Sequence, residues 1–227
     1  MMDHLPKMPD ALLREVARDL RPVKPSPLPL RQTLRTAPLA LVISSLILLA
    51  LGARHDSGAL GPLLTWGASS AQFLLAIGLV WVATREGTPA GRLPKNIVSA
   101  AATAALLAVI ALTLVTDAAS PASGPLRIAP WIAGLFCGIG STLAGGILVL
   151  LFGVIFRNSL ATRPTVAGAL YGAGAGVAIN AGWRIACPAS SAWHTLGSHG
   201  IAMIATALLG ALIGNLLGRP RIAGRRT

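Results

Sequence analysis

The stretch IAPWIAGLFCGIGSTLAGGILVLLFGVIF occupies residues 128–156 and contains no charged side chain. A helix needs about 20 mostly apolar residues to cross the hydrocarbon core of a bilayer, because each residue rises about 1.5 Å. The stretch is long enough to cross, and it lacks the alternation of apolar and polar residues that marks a membrane β-strand. It therefore predicts a membrane-spanning helix.

Further windows without Asp, Glu, Lys or Arg lie on both sides of this stretch, and they predict a polytopic, all-α membrane protein with six spans. The first window is short and contains Pro38, and the last contains a polar loop, so its helix is expected to start near His199. The windows are 36–53, 57–84, 96–116, 164–183 and 185–218. The expected organisation is a cytoplasmic segment 1–36, a six-helix transmembrane domain 37–218 and a basic tail 219–227.

Composition supports a membrane protein over a soluble one. Only 11% of the residues are charged and the mean hydropathy is +0.70, whereas a soluble domain carries roughly 25% charged residues. The net charge of +12 is typical of nucleic-acid binders. Almost every Lys and Arg lies just outside an uncharged window, however, so the expected partner is the lipid bilayer and no direct contact with nucleic acid is predicted.

The basic residues also predict the orientation, because loops on the cytoplasmic side of a membrane are enriched in Lys and Arg. With a cytoplasmic N-terminus, only Arg54, Arg127 and Arg184 of the 19 basic residues fall on the outer side, which leaves 16 inside. Both termini are therefore expected in the cytoplasm. The tryptophans are expected at the two interfaces, with Trp66, Trp131, Trp183 and Trp193 outside and Trp81 inside.

Glycine at every fourth residue follows one face of the fifth and of the sixth span, where it lets helix backbones approach closely. This pattern predicts that spans five and six pack within one bundle, and a homodimer through the same faces is the alternative. The residues are Gly168, Gly172 and Gly176 in span five, and Gly210, Gly214 and Gly218 in span six.

The cytoplasmic segment contains a short amphipathic pattern, DALLREVARDL, at residues 10–20. Asp10 is a plausible N-cap, and the prolines of RPVKPSPLPLR at residues 21–31 prevent the helix from continuing. A short helix on a stiff tether suits the groove of a partner protein, and an interfacial helix lying on the membrane is the alternative. The predicted partner-binding residues are Leu13, Val16, Ala17, Leu20, Arg21, Pro22 and Val23.

The two cysteines of the chain, Cys137 and Cys187, fall on the same outer side in this topology. His194 and His199 follow Cys187 in the loop IACPASSAWHTLGSHG, residues 185–200. Two Cys and two His side chains can form a tetrahedral site for a soft metal. The cysteines could instead form a disulfide on the oxidising side, or serve as small apolar side chains.

These features together resemble the NrsF-like family of six-span bacterial inner-membrane anti-sigma factors. The resemblance rests on DLRPVKPSPLPLR after a short helix, on the six-span layout, on Cys137 in span four, and on the Cys187–Pro188 loop with Trp193–His194 before the last span. It implies that the N-terminal segment binds an extracytoplasmic-function sigma factor and keeps it from core RNA polymerase. It also implies that Cys137 and Cys187 sense a heavy metal or an oxidant outside. The histidines are added on chemical grounds.

Two other classes of function are less well supported by the sequence. A small transporter or channel for a metal ion or small solute is disfavoured, because no charged residue lies inside a window and no inverted repeat is visible. The notable polar residues there, Asn180 and Asn215, are expected to form hydrogen bonds between helices. An enzyme is not predicted, since no Asp/Glu pair, Ser/His/Asp set or HExxH motif is present. No cofactor is required, and a heavy-metal ion is expected only as a signal.

Overall fold

A computed structural model describes residues 9–19, 29–88, 91–120, 130–156 and 163–218. Within these ranges every regular element is helical, in agreement with the predicted fold class. The helices are α1 (Asp10–Asp19), α2 (Pro29–Leu51), α3 (Ser57–Glu86), α4 (Lys95–Ala119), α5 (Pro130–Phe156), α6 (Pro164–Ala186) and α7 (Ala192–Leu217).

Five of the described helices, α2, α3, α4, α5 and α7, are long and apolar enough to cross a membrane. The sixth expected span, α6, has 23 residues but is not among these five. Its composition explains why, because glycine and alanine replace most of the larger apolar residues, and Asn180 and Arg184 lie near its end. The chain is thus a helical membrane protein in which one central helix is markedly less apolar than its neighbours.

Helix α6 is the most buried of the described helices, and it packs against α2, α3, α5 and α7. Its side chains therefore contact protein rather than lipid, so small residues are sufficient on every face. Leu148, Val149 and Phe152 of α5 pack in the same core with Ala175 and Ile179 of α6. This arrangement gives a bundle organised around α6.

The two glycine rows meet where α6 crosses α7. A Cβ atom added at Gly168 would collide with the carbonyl oxygen of Gly210, and one at Gly214 would collide with the carbonyl oxygen of Pro164. The closest contacts between the two helices are therefore between backbones. Gly172 and Gly176 also meet backbone atoms, of Thr206 and Met203, whereas Gly218 meets the ring of Pro164.

Two helix boundaries differ from the sequence-based prediction. Helix α2 begins at Pro29, inside the stretch expected to be an extended tether, because proline is tolerated in the first turn of a helix, where its missing N–H is not needed. Helix α7 begins at Ala192 rather than near His199, because the Ser191 hydroxyl caps it by accepting a bond from the His194 amide at 3.3 Å. Gly52, at φ 78°, follows the last residue of α2, a position that favours glycine.

Charged side chains lie at the ends of the spans, although the windows that predicted the spans excluded them. Helix α3 continues to Glu86, which is fully buried, accepts a bond from the Leu93 amide at 2.8 Å and pairs with Arg163 at 3.3 Å. Helix α6 similarly includes Arg184. The uncharged windows were shorter than the helices, because a charged side chain at a helix end can form hydrogen bonds or ion pairs with residues of neighbouring helices and loops.

One tryptophan prediction is wrong. Trp193, Trp131 and Trp66 are exposed, as expected for interfacial anchors, but Trp183 is only 4% exposed. Its ring contacts Phe136 and His199 at centroid distances of 6.2 and 5.6 Å. Trp183 therefore packs inside the bundle, next to the cysteines.

Candidate functional site

The two cysteines and the two histidines come together at one end of the bundle, here called the cysteine end. The ligand atoms of Cys137, Cys187, His194 and His199 all lie within 4.8 Å of one another. The two Sγ atoms are 3.7 Å apart, and Cys187 Sγ lies 3.5 Å from His194 Nε2. The structure thus unites residues from two helices, α5 and α7, and from the loop after α6, which are up to 62 positions apart in the sequence, from 137 to 199.

Local structure explains how each side chain reaches the site. Cys137 lies early in α5, and Cys187 follows the last residue of α6. His194 and His199 are five residues apart on the first turns of α7, where Thr195–Gly200 forms a π-helical turn. Hydrogen bonds from residue i to i+5 bring residues five apart onto the same side of the helix. The two imidazole rings consequently lie 5.5 Å apart.

The spacing of these atoms suits a tetrahedral metal ion. Zn²⁺ binds thiolate sulfur at about 2.3 Å and imidazole nitrogen at about 2.0–2.1 Å, so neighbouring ligand atoms of a tetrahedral site lie about 3.3–3.8 Å apart. The distances of 3.7 and 3.5 Å from Cys187 Sγ to Cys137 Sγ and to His194 Nε2 fall within that range, and the other pairs lie within 4.8 Å. Both cysteines are free and buried, which is the environment of a closed site rather than of an exposed reactive thiol.

Ser141 is a site residue that sequence reasoning missed. Its hydroxyl lies 2.9 Å from Nδ1 of His199. A partner on one ring nitrogen orients the imidazole and leaves the other nitrogen as the ligand atom, as is usual for histidines that bind metals. A signal existed, because Ser141 lies four residues after Cys137 and therefore on the same face of α5.

The loop that carries Cys187 is held by Arg54, a residue whose position in the sequence indicated only the orientation of the chain. The Arg54 guanidinium makes two bonds to the Asp56 carboxylate, at 2.6 and 2.7 Å. It also donates to the Pro188 carbonyl at 3.1 Å and to the Ser190 hydroxyl. The Arg54 amide donates to the Ile185 carbonyl at 2.8 Å. These bonds fasten the Cys187–Pro188 loop to the connection between α2 and α3.

The same contact shifts the ionisation of Asp56. Bonding to the Arg54 guanidinium lowers the pKa of the Asp56 carboxyl below its ordinary value, because the carboxylate form is stabilised by the hydrogen bonds and the positive charge. The carboxylate therefore persists at neutral and mildly acidic pH, and the support of the loop persists with it.

The predicted asparagine contacts are not found. The side-chain amide of Asn180 is 2% exposed and has no hydrogen-bond partner among the described residues, while Asn215 is exposed. The expectation of interhelical hydrogen bonds is therefore not met by either residue in the described part of the chain.

The predicted partner-binding segment is described only in part. Helix α1 covers residues 10–19, with Leu13 and Ala17 exposed. Residues Leu20, Arg21, Pro22 and Val23, the side chain of Val16 and the tail 219–227 lie outside the description.

Comparison with known families assigns the chain. A sequence profile described as "NrsF: Negative regulator of sigma F" matches residues 16–219, which is most of the chain. The chain belongs to the NrsF family. The resemblance noted in the sequence is therefore confirmed, and the chain is a member of a family of negative regulators of a sigma factor. A sigma factor is the partner implied by the NrsF description, which names a regulator rather than an enzyme. No curated protein and no solved structure matches the chain.

Proposed function

We propose that this NrsF-family chain is a membrane-bound anti-sigma factor that holds an extracytoplasmic-function sigma factor through residues 1–36. It releases the sigma factor when a heavy-metal ion, or alternatively an oxidant, acts on Cys137 and Cys187 in the periplasm. The observation that carries the sensing half is the convergence of two buried thiols and two imidazoles within 4.8 Å. Membership of the NrsF family supports the other half of the proposal, the regulation of a sigma factor.

The proposed topology has six spans, α2 to α7, in the bacterial inner membrane, with both termini in the cytoplasm. The transmembrane domain is residues 37–218 and the tail 219–227 is cytoplasmic. Helix α6 counts as a span because its 23 residues are long enough to cross, and because burial inside the bundle removes the need for an apolar surface. The 16 to 3 distribution of basic residues supports the same orientation.

A metal ion is the preferred signal because four potential ligand atoms lie within 4.8 Å of one another and two of their separations match a tetrahedral site, with Ser141 bonded to His199 behind the site. An ion would bind the Cys137 and Cys187 thiolates and the His194 and His199 imidazoles, and it would draw α5, α6 and the start of α7 together. Cysteine sulfur favours soft ions such as Zn²⁺ and Cu⁺ over hard ones.

Contacts along α6 offer a route from this site to the opposite, cytoplasmic end of the bundle. There the Tyr171 hydroxyl donates to Thr84 of α3 at 3.1 Å, and Thr84 lies 3.5 Å from the hydroxyl of Thr33 in α2. Thr33 belongs to the proposed sigma-binding segment. A shift of α6 would therefore reach that segment through Thr84. Moving a two-state equilibrium from 1:99 to 99:1 needs about 10⁴-fold tighter binding of the ion to one state.

The apolar face of α1 suits a protein partner. Leu12 and Leu13 are 48% and 49% exposed, and burial of such side chains against a partner is favourable by about 25 cal/mol per Å². An amphipathic helix with exposed leucines on one face is a common way to fill an apolar groove.

The sensing half is tested by metal binding and by induction. The purified chain should bind one Co²⁺ with the absorption of thiolate–cobalt bonds, and Cys137→Ser with Cys187→Ser should abolish it. His199→Ala should weaken binding, whereas His55→Ala, at an exposed histidine near the same end, should not. Unchanged induction of the regulon by metals and oxidants in the double cysteine variant would refute sensing.

The regulatory half is tested by capture from the native host. Full-length protein should co-purify with a sigma factor, and a variant lacking residues 1–34 should not. Leu13→Asp should reduce capture, while Ala11→Asp should not, because the two positions are about 160° apart on α1 and only Leu13 lies on the apolar face. Capture of no sigma factor by the full-length chain contradicts the proposal and favours the transporter alternative, which metal flux into vesicles would test.

A further inference from the structure

A small cavity beside the cysteine site collects buried polar atoms that have no partner. Among the described residues, five side chains hold a buried nitrogen or oxygen without a hydrogen bond, namely Gln72, Ser120, Asn180, Trp183 and Arg184. Three of these, Asn180, Trp183 and Arg184, line the same cavity. Buried polar groups are nearly always satisfied, so unsatisfied groups clustered at one cavity point to a missing ligand, water or ion.

The unsatisfied groups are mostly hydrogen-bond donors. At the cavity the unsatisfied donors are the indole Nε1 of Trp183, the Nε of Arg184 and the amide nitrogen of Asn180, while the amide oxygen of Asn180 is an unsatisfied acceptor. Indole and guanidinium nitrogens donate only and cannot accept. A ligand that satisfies them must therefore be an acceptor.

The charge at the cavity points to an anion. Arg184 donates to the Thr116 hydroxyl at 2.5 Å, and within the described ranges it forms no ion pair. Arg54 also lines the cavity, but the Asp56 carboxylate balances its charge. The carbonyl end of α6 offsets part of the Arg184 charge but supplies no acceptor to the Trp183 and Asn180 groups. A partly buried cation without a counter-charge is unfavourable.

We propose that this cavity, at the junction of α4, α6 and the Cys187–Pro188 loop, binds one halide-sized anion such as chloride. The anion accepts hydrogen bonds from the side chains of Asn180, Trp183 and Arg184. The size of the ligand follows from the space, since the cavity has room for little more than one water-sized particle. Water could accept the same bonds but would leave the Arg184 charge unbalanced.

The anion site adjoins the thiol site without depending on it. Cys187 and His199 line one wall of the cavity, while the proposed anion donors are neither Cys nor His. The test therefore uses reduced, chelator-treated protein, so that its outcome is independent of metal binding.

The experiment measures chloride binding by the full chain in detergent, through the protein-dependent broadening of the ³⁵Cl NMR line and its reversal by bromide. Thermal stability in chloride is compared with that in gluconate at equal ionic strength. Wild-type protein should broaden the line, and each tenfold rise in chloride beyond its Kd should lower the unfolding equilibrium constant about tenfold.

Three variants localise the site. Asn180→Leu and Arg184→Gln should each weaken chloride binding at least about tenfold, as expected for the loss of a hydrogen bond to an ion. Arg92→Gln, which removes an exposed arginine, should leave binding unchanged. If Arg184→Gln does not fold, the proposal is still tested by chloride binding to Asn180→Leu and by the stability of the wild-type protein in chloride and in gluconate. No broadening and equal stability in the two salts would mean that the cavity holds only water and would overturn the proposal, as would unchanged binding in Asn180→Leu.

Discussion

The substitution Gly172→Ala tests the backbone contact between α6 and α7 most directly. A Cβ at this position would lie 2.8 Å from the Cα of Ala207 and 2.8 Å from the carbonyl carbon of Thr206. Carbon atoms in good contact are about 3.5–4.0 Å apart, so the helices must separate by roughly 1 Å. Overpacking of this kind costs about 1–3 kcal/mol.

The matched control is Gly78→Ala in α3, where nothing lies within 4 Å of the added atom. Alanine is a better helix former than glycine by about 0.8–1.0 kcal/mol, so this variant should be neutral or stabilising. Thermal unfolding of the two purified variants in detergent measures both changes in stability. For a protein of this size, a change of 1 kcal/mol in the free energy of unfolding shifts the melting temperature by about 2–4 °C. Equal midpoints for the two variants would refute the inference that α6 and α7 are in backbone contact.

Three further outcomes are expected. Asp56→Asn should lower stability at neutral pH, and its difference from wild type should shrink as the pH falls below about 4. The pKa of Asp56 is lowered by Arg54, so the stabilisation is complete above the unfolded-state pKa and is lost as the pH falls through the folded-state pKa; a pH-independent difference in melting temperature would contradict this. Glu86→Ala should destabilise by about 1–3 kcal/mol, because the Leu93 amide loses its acceptor and the partly exposed Arg163 loses its ion-pair partner. Glu86→Gln, which can still accept the Leu93 bond, should cost less in the same thermal-unfolding assay. Ile179→Ala, at a fully buried position, should cost about 2–5 kcal/mol, whereas Leu208→Ala, at a side chain 66% exposed, should change stability little.

Sequence patterns predicted the architecture well where the signal is local. Uncharged windows identified the helices because hydrocarbon excludes charge, and the family assignment confirmed the resemblance read from the loop and cysteine motifs. The start of α2 was misplaced because proline in a first helical turn resembles proline in a tether. The start of α7 was misplaced because its cap, Ser191, lies in a stretch that reads as a polar loop.

The candidate site was only half accessible to sequence reasoning. Cys137 and Cys187 could be paired by topology, since the start of α5 and the end of α6 fall at the same end of the bundle, but their 3.7 Å separation depends on how α5 packs on α6. The supporting contacts of Arg54, Ser141 and Trp183 are long-range, and each of these residues has an ordinary explanation when read alone. Trp183 in particular resembled an interfacial anchor because its neighbour in space, His199, is 16 positions away in the sequence.

The π-helical turn at Thr195–Gly200 makes the ligand set sensitive to chain length. In a regular α-helix, residues five apart point about 140° away from each other, so His194 and His199 could not both face the cysteines. Adding one residue to this turn, such as a second glycine after Gly197, would leave the two histidines six positions apart, about 120° from each other on a regular α-helix, and would rotate one imidazole away. The span itself would survive. A single-residue insertion could thus separate ligand binding from membrane insertion, which point substitutions at the ligands cannot do without also changing their chemistry.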